Sequence, residues 1–127
     1  MADRRLAANL LCVVVAVAHL GFLVLEMFLW DHPIGRGLFS MTPQISAATA
    51  VLAMNQGLYN GFLAAGLLWG MRAGRTGVKV FFLVCVIVAG VFGAVTASPV
   101  ILFVQAAPAM LALVAVLLSE RKVSRAT

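Results

Sequence analysis

The sequence predicts an all-α integral membrane protein, a bundle of four transmembrane helices with both termini in the cytoplasm. Three observations carry this reading. The 127 residues are 64% hydrophobic and only 10% charged, whereas a soluble domain carries about 25% charged residues, so the chain cannot cover a water-facing surface. Four apolar segments each approach the roughly 20 residues that a spanning helix needs. The basic residues sit in short clusters between those segments, where they read as membrane-flanking charges. The net charge of +5 therefore does not point to nucleic acid. A chain of this length forms one domain.

The first helix is expected over residues 6–30. Its apolar run is too long for a signal peptide and no small-residue cleavage site follows, so it is expected to be retained. Residues 31–46 are too polar to span and form an external loop lying across the mouth of the bundle. The second helix is expected over 47–70, the third over 78–97 and the fourth over 99–118. A tight turn at Ser98-Pro99 separates the last two, and the proline starts the final helix. Cys12 and Cys85 both fall inside apolar runs, where they act as small hydrophobes rather than disulfide partners.

Orientation follows from the nine basic residues. With four spans, Arg4, Arg5, Arg72, Arg75, Lys79, Arg121, Lys122 and Arg125 fall on one side and Arg36 alone on the other. The positive-inside rule puts the crowded side in the cytoplasm, which suits the inner (plasma) membrane. Trp30 and Trp69 mark opposite ends of their helices, as interfacial tryptophans do.

Small residues repeat every four positions: Ala53, Gly57, Gly61 and Ala65 on the second helix, and Ala89, Gly93 and Ala97 on the third. Such stripes let helix backbones approach closely in lipid. They serve packing within one bundle or a homo-oligomer contact, and the intramolecular use is the expectation.

The polar residues inside the spans carry the functional information. His19 and Glu26 are seven apart on the first helix, so they share a face about 10 Å apart along the axis. Asn55, Gln56, Tyr59 and Asn60 form one polar arc on the second helix, which Thr49 extends outward. Gln105 precedes Pro108 on the fourth, and that proline deprives the carbonyl of Val104 of its helical partner. Glu26 lies about 6 Å below the outer end of its helix, Gln105 about 9 Å and Asn55 about 12 Å, at 1.5 Å per residue. A carboxylate facing lipid costs a few kcal/mol or more, so Glu26 should face inward. The simplest arrangement is one buried polar pocket, opening outward under the 31–46 loop. Taken singly, His19 reads as a core histidine bonded to a backbone carbonyl, and the carboxamides as interhelical glue worth about 0.6 kcal/mol each. An acid, an imidazole, a phenol and several carboxamides together exceed what glue requires.

The stretches His19-Leu-Gly-Phe-Leu-Val-Leu-Glu26-Met-Phe-Leu-Trp30 and Asn55-Gln-Gly-Leu-Tyr59-Asn60-Gly-Phe-Leu-Ala form a signature, with Gly90, Gly93, Thr96 and Gln105-Ala-Ala-Pro108-Ala. The pattern resembles the bacterial and fungal membrane-protein family known as domain of unknown function 1304, over nearly the whole chain. The resemblance implies a four-helix fold and brings no established activity. The label "epimerase" on some members is a weak indication.

Three function classes follow. In a membrane enzyme acting on a lipophilic small molecule, Glu26, His19 and Tyr59 would do acid–base chemistry, while Asn55, Gln56, Asn60, Gln105 and Trp30 bind and orient the substrate. Isomerisation or ring opening of this kind needs no cofactor, and no cofactor or metal is expected. A haem on His19 would rest on a single histidine. In a proton-coupled exporter, Glu26 would play the part of the membrane-embedded glutamate of small multidrug-resistance exporters. The one-sided charge and the spread of polar groups over three helices weigh against it. The third class is an accessory subunit of a larger membrane complex. The expected partners are a lipophilic small molecule and membrane lipid, and the enzyme reading leads.

Overall fold

The computed structural model describes residues 2–121, and among them every regular element is a helix. Helix α1 spans Ala2–Phe28, 27 residues without an internal proline. Pro33, five residues on, keeps the residue before it out of helical geometry. His32 accordingly sits at φ −84°, ψ 154° and caps a short second helix. That helix, α2 (Pro33–Leu38), lies inside the stretch expected to be loop. Two glycines in six residues mask it, since glycine is a poor helix former. A Cβ on Gly35 would lie 2.7 Å from the Trp30 carbonyl oxygen and closer still to that of Leu29. Only glycine lets α2 seat on the end of α1.

Helix α3 spans Pro43–Arg72, about 45 Å of helix at 1.5 Å per residue. Gly74 ends it at φ 62°. The N–H of Arg75 reaches back to the Gly70 carbonyl at 2.9 Å, the six-to-one bond of a glycine-terminated helix. Helix α4 is Thr76–Thr96. The expected turn follows, with the N–H groups of Ala97 and Ser98 both on the Gly93 carbonyl at 2.8 and 3.1 Å.

The last segment is not the uniform helix the sequence suggests. Residues Leu102–Ala106 form a π-helical turn, closed by the Ala107 N–H on the Leu102 carbonyl, before α5 (Ala107–Arg121) continues. Pro108 lacks the N–H that an α-helical turn would use there. The widened turn re-pairs the backbone just ahead of it.

Among the described residues, three helical stretches are long and apolar enough to cross a membrane: Asp3–Phe28, Thr76–Thr96 and Leu102–Glu120. Helix α3 is longer than any of them, but Asn55, Gln56 and Asn60 lower its apolarity. The outer faces read as those of a membrane protein. Val51, Leu52 and Phe62 of α3, Phe81, Phe92 and Val95 of α4, and Leu6 and Val17 of α1 are all more than half exposed. Such a surface suits hydrocarbon rather than water. The basic residues Lys122 and Arg125, which enter the topology reading, lie outside the described residues, as does the side chain of Arg121.

The chain divides into two compact units. One holds the start of α1 to Ala16, the end of α3 from Ala65, α4, the π turn and α5. Its core includes Cys12, Val15, Leu67, Leu83, Val86, Ala109, Ala112 and Val116, and both cysteines are free. The buried edge of α4 is Lys79, Leu83, Val86 and Gly90. A Cβ on Gly90 would come within 2.8 Å of the Ala106 amide nitrogen. The close approach of α4 therefore runs through Gly90, with Gly93 against Ile101 beside it, while Ala89 and Ala97 of the expected stripe are exposed.

The other unit, Val17–Ala64, holds the end of α1, α2 and most of α3. Here the small-residue stripe of α3 meets α1. A Cβ on Gly57 would lie 2.7 Å from Met27 Cγ and 3.1 Å from both Glu26 Cβ and the Leu23 carbonyl, and one on Gly61 would lie 2.6 Å from Leu23 Cδ1.

Candidate functional site

The close approach at Gly57 and Gly61 brings the polar faces of α1 and α3 together within the Val17–Ala64 unit. One helical turn along, the side-chain amide of Asn60 donates from Nδ2 to Glu26 Oε2 at 2.7 Å. Asn60 is 4% exposed and Glu26 half-buried. An interhelical bond of this kind contributes about 0.6 kcal/mol on average, so its value lies in fixing the carboxyl. No hydrogen bond to the second oxygen, Oε1, is found among the described residues.

Glu26 lines an open cleft of ≈360 Å³, walled by Met27, Phe28, Trp30, Ala50 and Met54 and rimmed by Asp31 and His32. Most of the wall is apolar, with polar groups at the floor and the rim, a pattern suited to an amphiphilic or lipophilic molecule.

The wall and rim are held in place. The Trp30 indole N–H donates to Thr49 Oγ1 at 2.9 Å, and Thr49 passes its own proton to the Ile45 carbonyl at 2.8 Å. The Phe39 ring lies 4.8 Å from that of Trp30. Asp31 accepts from the buried Ser46 hydroxyl and from Arg36 Nη1 at 3.1 Å. The Ser46 hydroxyl does most to hold the Asp31 carboxyl below the usual carboxylate range. The Arg36 guanidinium adds to it, and partial desolvation works against it. His32 accepts the Ile34 N–H at Nδ1 over 3.3 Å, which leaves Nε2 as the donor of a neutral ring.

Of the residues singled out from the sequence, the structure gathers Glu26, Trp30 and Asn60. His19 is buried on α1, edge-on to Phe22 with ring centroids 5.4 Å apart, and does not line the cleft. Asn55 is exposed and donates to the Val51 carbonyl of its own helix at 2.9 Å. Gln56 is exposed, and Tyr59 is 58% exposed beside Phe62. The polar arc of α3 is thus divided, with Asn60 turned to α1 and the others outward. Gln105 is half-buried in the π turn of the other unit. Sequence reasoning missed Asp31 and His32, which fall where a loop was expected. His-Pro at the head of a short segment was the available signal, because it marks a helix cap. Among the described residues, no group of three or more His, Cys, Asp or Glu is placed to hold a metal ion.

Comparison with known proteins adds one match. The model of a family described as protein of unknown function (DUF1304) matches residues 13–117, a stretch that takes in Glu26, Trp30, the whole cleft and Asn60. No curated protein and no solved structure matches the chain.

Proposed function

The chain belongs to the DUF1304 family, and we propose that it is a four-span protein of the plasma membrane whose Glu26 exchanges a proton with a lipophilic small molecule bound in the cleft. The observation that carries this is the Asn60–Glu26 hydrogen bond at 2.7 Å beside an apolar-walled cleft. A carboxyl with one oxygen pinned is oriented for proton transfer through the other, and a general acid or base needs that positioning before anything else. Isomerisation follows from such a group alone, the carboxylate taking a proton from one carbon and the carboxylic acid so formed returning it at another; opening of a strained ring needs water as the nucleophile besides, with Glu26 moving the proton. Trp30 and Met54 supply apolar contact, and His32 Nε2 a donor at the rim.

In the proposed topology α1, α3, α4 and α5 all span, with both termini cytoplasmic. The cleft then opens outward near the end of α1. Burial of an ionisable group within the hydrocarbon region is expensive and marks function by default. That argument selects Glu26 over the exposed carboxamides of α3.

Proton exchange tests the proposal directly. Purified protein is incubated with a total lipid extract in D₂O, and the lipids are analysed by mass spectrometry. A deuterium-bearing species formed with wild type and absent with Glu26→Gln is the expected result. Glu26→Gln keeps an oxygen for Asn60 and should keep the fold. Labelling that persists in Glu26→Gln removes that residue from the chemistry. No labelled species with wild type overturns the enzyme reading and leaves carriage of the molecule, or a role within a larger complex, as the use of the cleft.

A further inference from the structure

We propose that a second cleft, in the unit built from both ends of the chain, binds the phosphate group of an anionic lipid headgroup. This cleft of ≈200 Å³ is lined by Arg5 and Asn9 of α1, Met71 of α3, Gly74 and Thr76 at the α3–α4 junction, Lys79 of α4, and Ser119 and Glu120 of α5. At about 30 Å³ per water, that is room for six or seven waters, enough for a tetrahedral oxyanion.

Lys79 carries the argument. It is only 8% exposed, yet no hydrogen bond or ion pair to its ammonium is found among the described residues. Its stem is seated on Gly70, where an added Cβ would lie 3.2 Å from Lys79 Cγ. The stem is buried while the ammonium opens into the cleft, so a fixed cation stands there with its donors turned to whatever anion enters. The neighbours point the same way. Helix α4 begins here at Arg75 with no side-chain cap and no acidic residue in its first turn, so its positive end is uncompensated. Arg5 adds a second cation, and Glu120 is the only carboxylate in the lining. Ser119 spends its proton on the Val116 carbonyl at 2.7 Å, leaving Asn9 and Thr76 as neutral donors.

Position favours a lipid over a soluble anion. The three spans begin or end at this cleft: Asp3–Phe28 two residues before Arg5, Thr76–Thr96 at Thr76, and Leu102–Glu120 at Glu120. The cleft therefore stands at headgroup level, where basic pockets between membrane helices take anionic lipids.

Native mass spectrometry of protein released from nanodiscs of phosphatidylglycerol, or of phosphatidylcholine, measures the bound lipid. Phosphatidylglycerol should be retained selectively, with retention reduced tenfold or more in Lys79→Gln and about fivefold in Arg5→Gln. Glu120→Gln should tighten retention about fivefold, by removal of the opposing charge. That variant keeps the proposal testable if Lys79→Gln fails to fold. Retention that ignores all three substitutions overturns the proposal. A further arm adds inorganic phosphate to lipid-depleted protein in detergent. Saturable protection by phosphate, without selectivity for phosphatidylglycerol, overturns the lipid assignment in favour of a soluble anion. Absence of both effects overturns the proposal of an anion site.

Discussion

The approach of α1 to α3 at Gly57 sets the geometry of Glu26, and Gly57→Ala tests that dependence. The new methyl would lie 2.7 Å from Met27 Cγ, 3.1 Å from Glu26 Cβ and 3.1 Å from the Leu23 carbonyl oxygen. Carbon–carbon contacts settle at about 3.5–4.0 Å. Met27 can rotate away, but the Leu23 backbone cannot, so the helices must part by roughly half an ångström on this contact distance. Overpacking of this size costs about 1–3 kcal/mol. The same displacement stretches the Asn60–Glu26 bond from 2.7 Å to about 3.2 Å, the limit of good geometry, and forfeits part of about 0.6 kcal/mol. On the proposed topology no helix-propensity gain offsets this, because a span unfolded within the membrane stays helical. Gly21→Ala on α1 is the control, as a Cβ there meets nothing within 4 Å and should change stability by less than about 0.5 kcal/mol. Unfolding midpoints in mixed detergent measure both variants. A Gly57→Ala protein as stable as Gly21→Ala would refute the reasoning.

Three further outcomes are expected. Asp31 is held below its usual range, so its folded form is favoured above the unfolded carboxylate pKa of about 3.9. That contribution is lost as pH falls through the lower folded value, so the protection factors of amides across 31–46, corrected for the intrinsic exchange rate at each pH, should stay constant near neutral pH and fall below about pH 4. Asp31→Asn should remove the acid-dependent step. Ala112→Cys, in a background lacking Cys12 and Cys85, should resist membrane-impermeant thiol reagents from the cytoplasm, because residue 112 is fully buried; ready labelling blocked by a bound molecule would point to alternating access. Reporter fusions before Asp3 and after Thr127 should both score cytoplasmic, and termini on opposite faces would remove α3 from the membrane.

The long helices were legible because apolar runs separate them and Pro99 marks the start of the last, whereas α2 (Pro33–Leu38) was not, because its two glycines hide it. The site was legible in part. Glu26 and Trp30 stand out as an acid and an indole at the end of a span, and Asn60 as a carboxamide inside one. Periodicity gives the face a residue shares with its neighbours, but not which edge of that face meets another helix. Asn55, Gln56 and Tyr59 share an arc with Asn60, yet only Asn60 falls on the side where Gly57 and Gly61 admit α1. Likewise Ala89, Gly93 and Ala97 repeat correctly, while the close backbone approach to Ala106 runs through Gly90, because the widened turn before Pro108 sets where Ala106 arrives.

The case for α3 as a span does not rest on charge. If only the three most apolar helices crossed, Arg4 and Arg5 would stand on one side and the remaining basic residues on the other, which is nearly as one-sided as the four-span arrangement. Two structural facts support the four-span proposal. Helix α3 exposes Val51, Leu52, Phe62 and Trp69, each more than half accessible, and a helix lying in water would not carry such residues along much of its length. It also delivers Asn60 to Glu26 from within a candidate span. If the Glu26 carboxyl lies within the membrane, as proposed, the helix that meets it side by side enters the membrane too. On the proposed topology the carboxamides that lower the apolarity of α3 have a use: Asn60 is the one turned to Glu26, and a helix that supplies the polar wall of a membrane site is less apolar than a typical span for that reason.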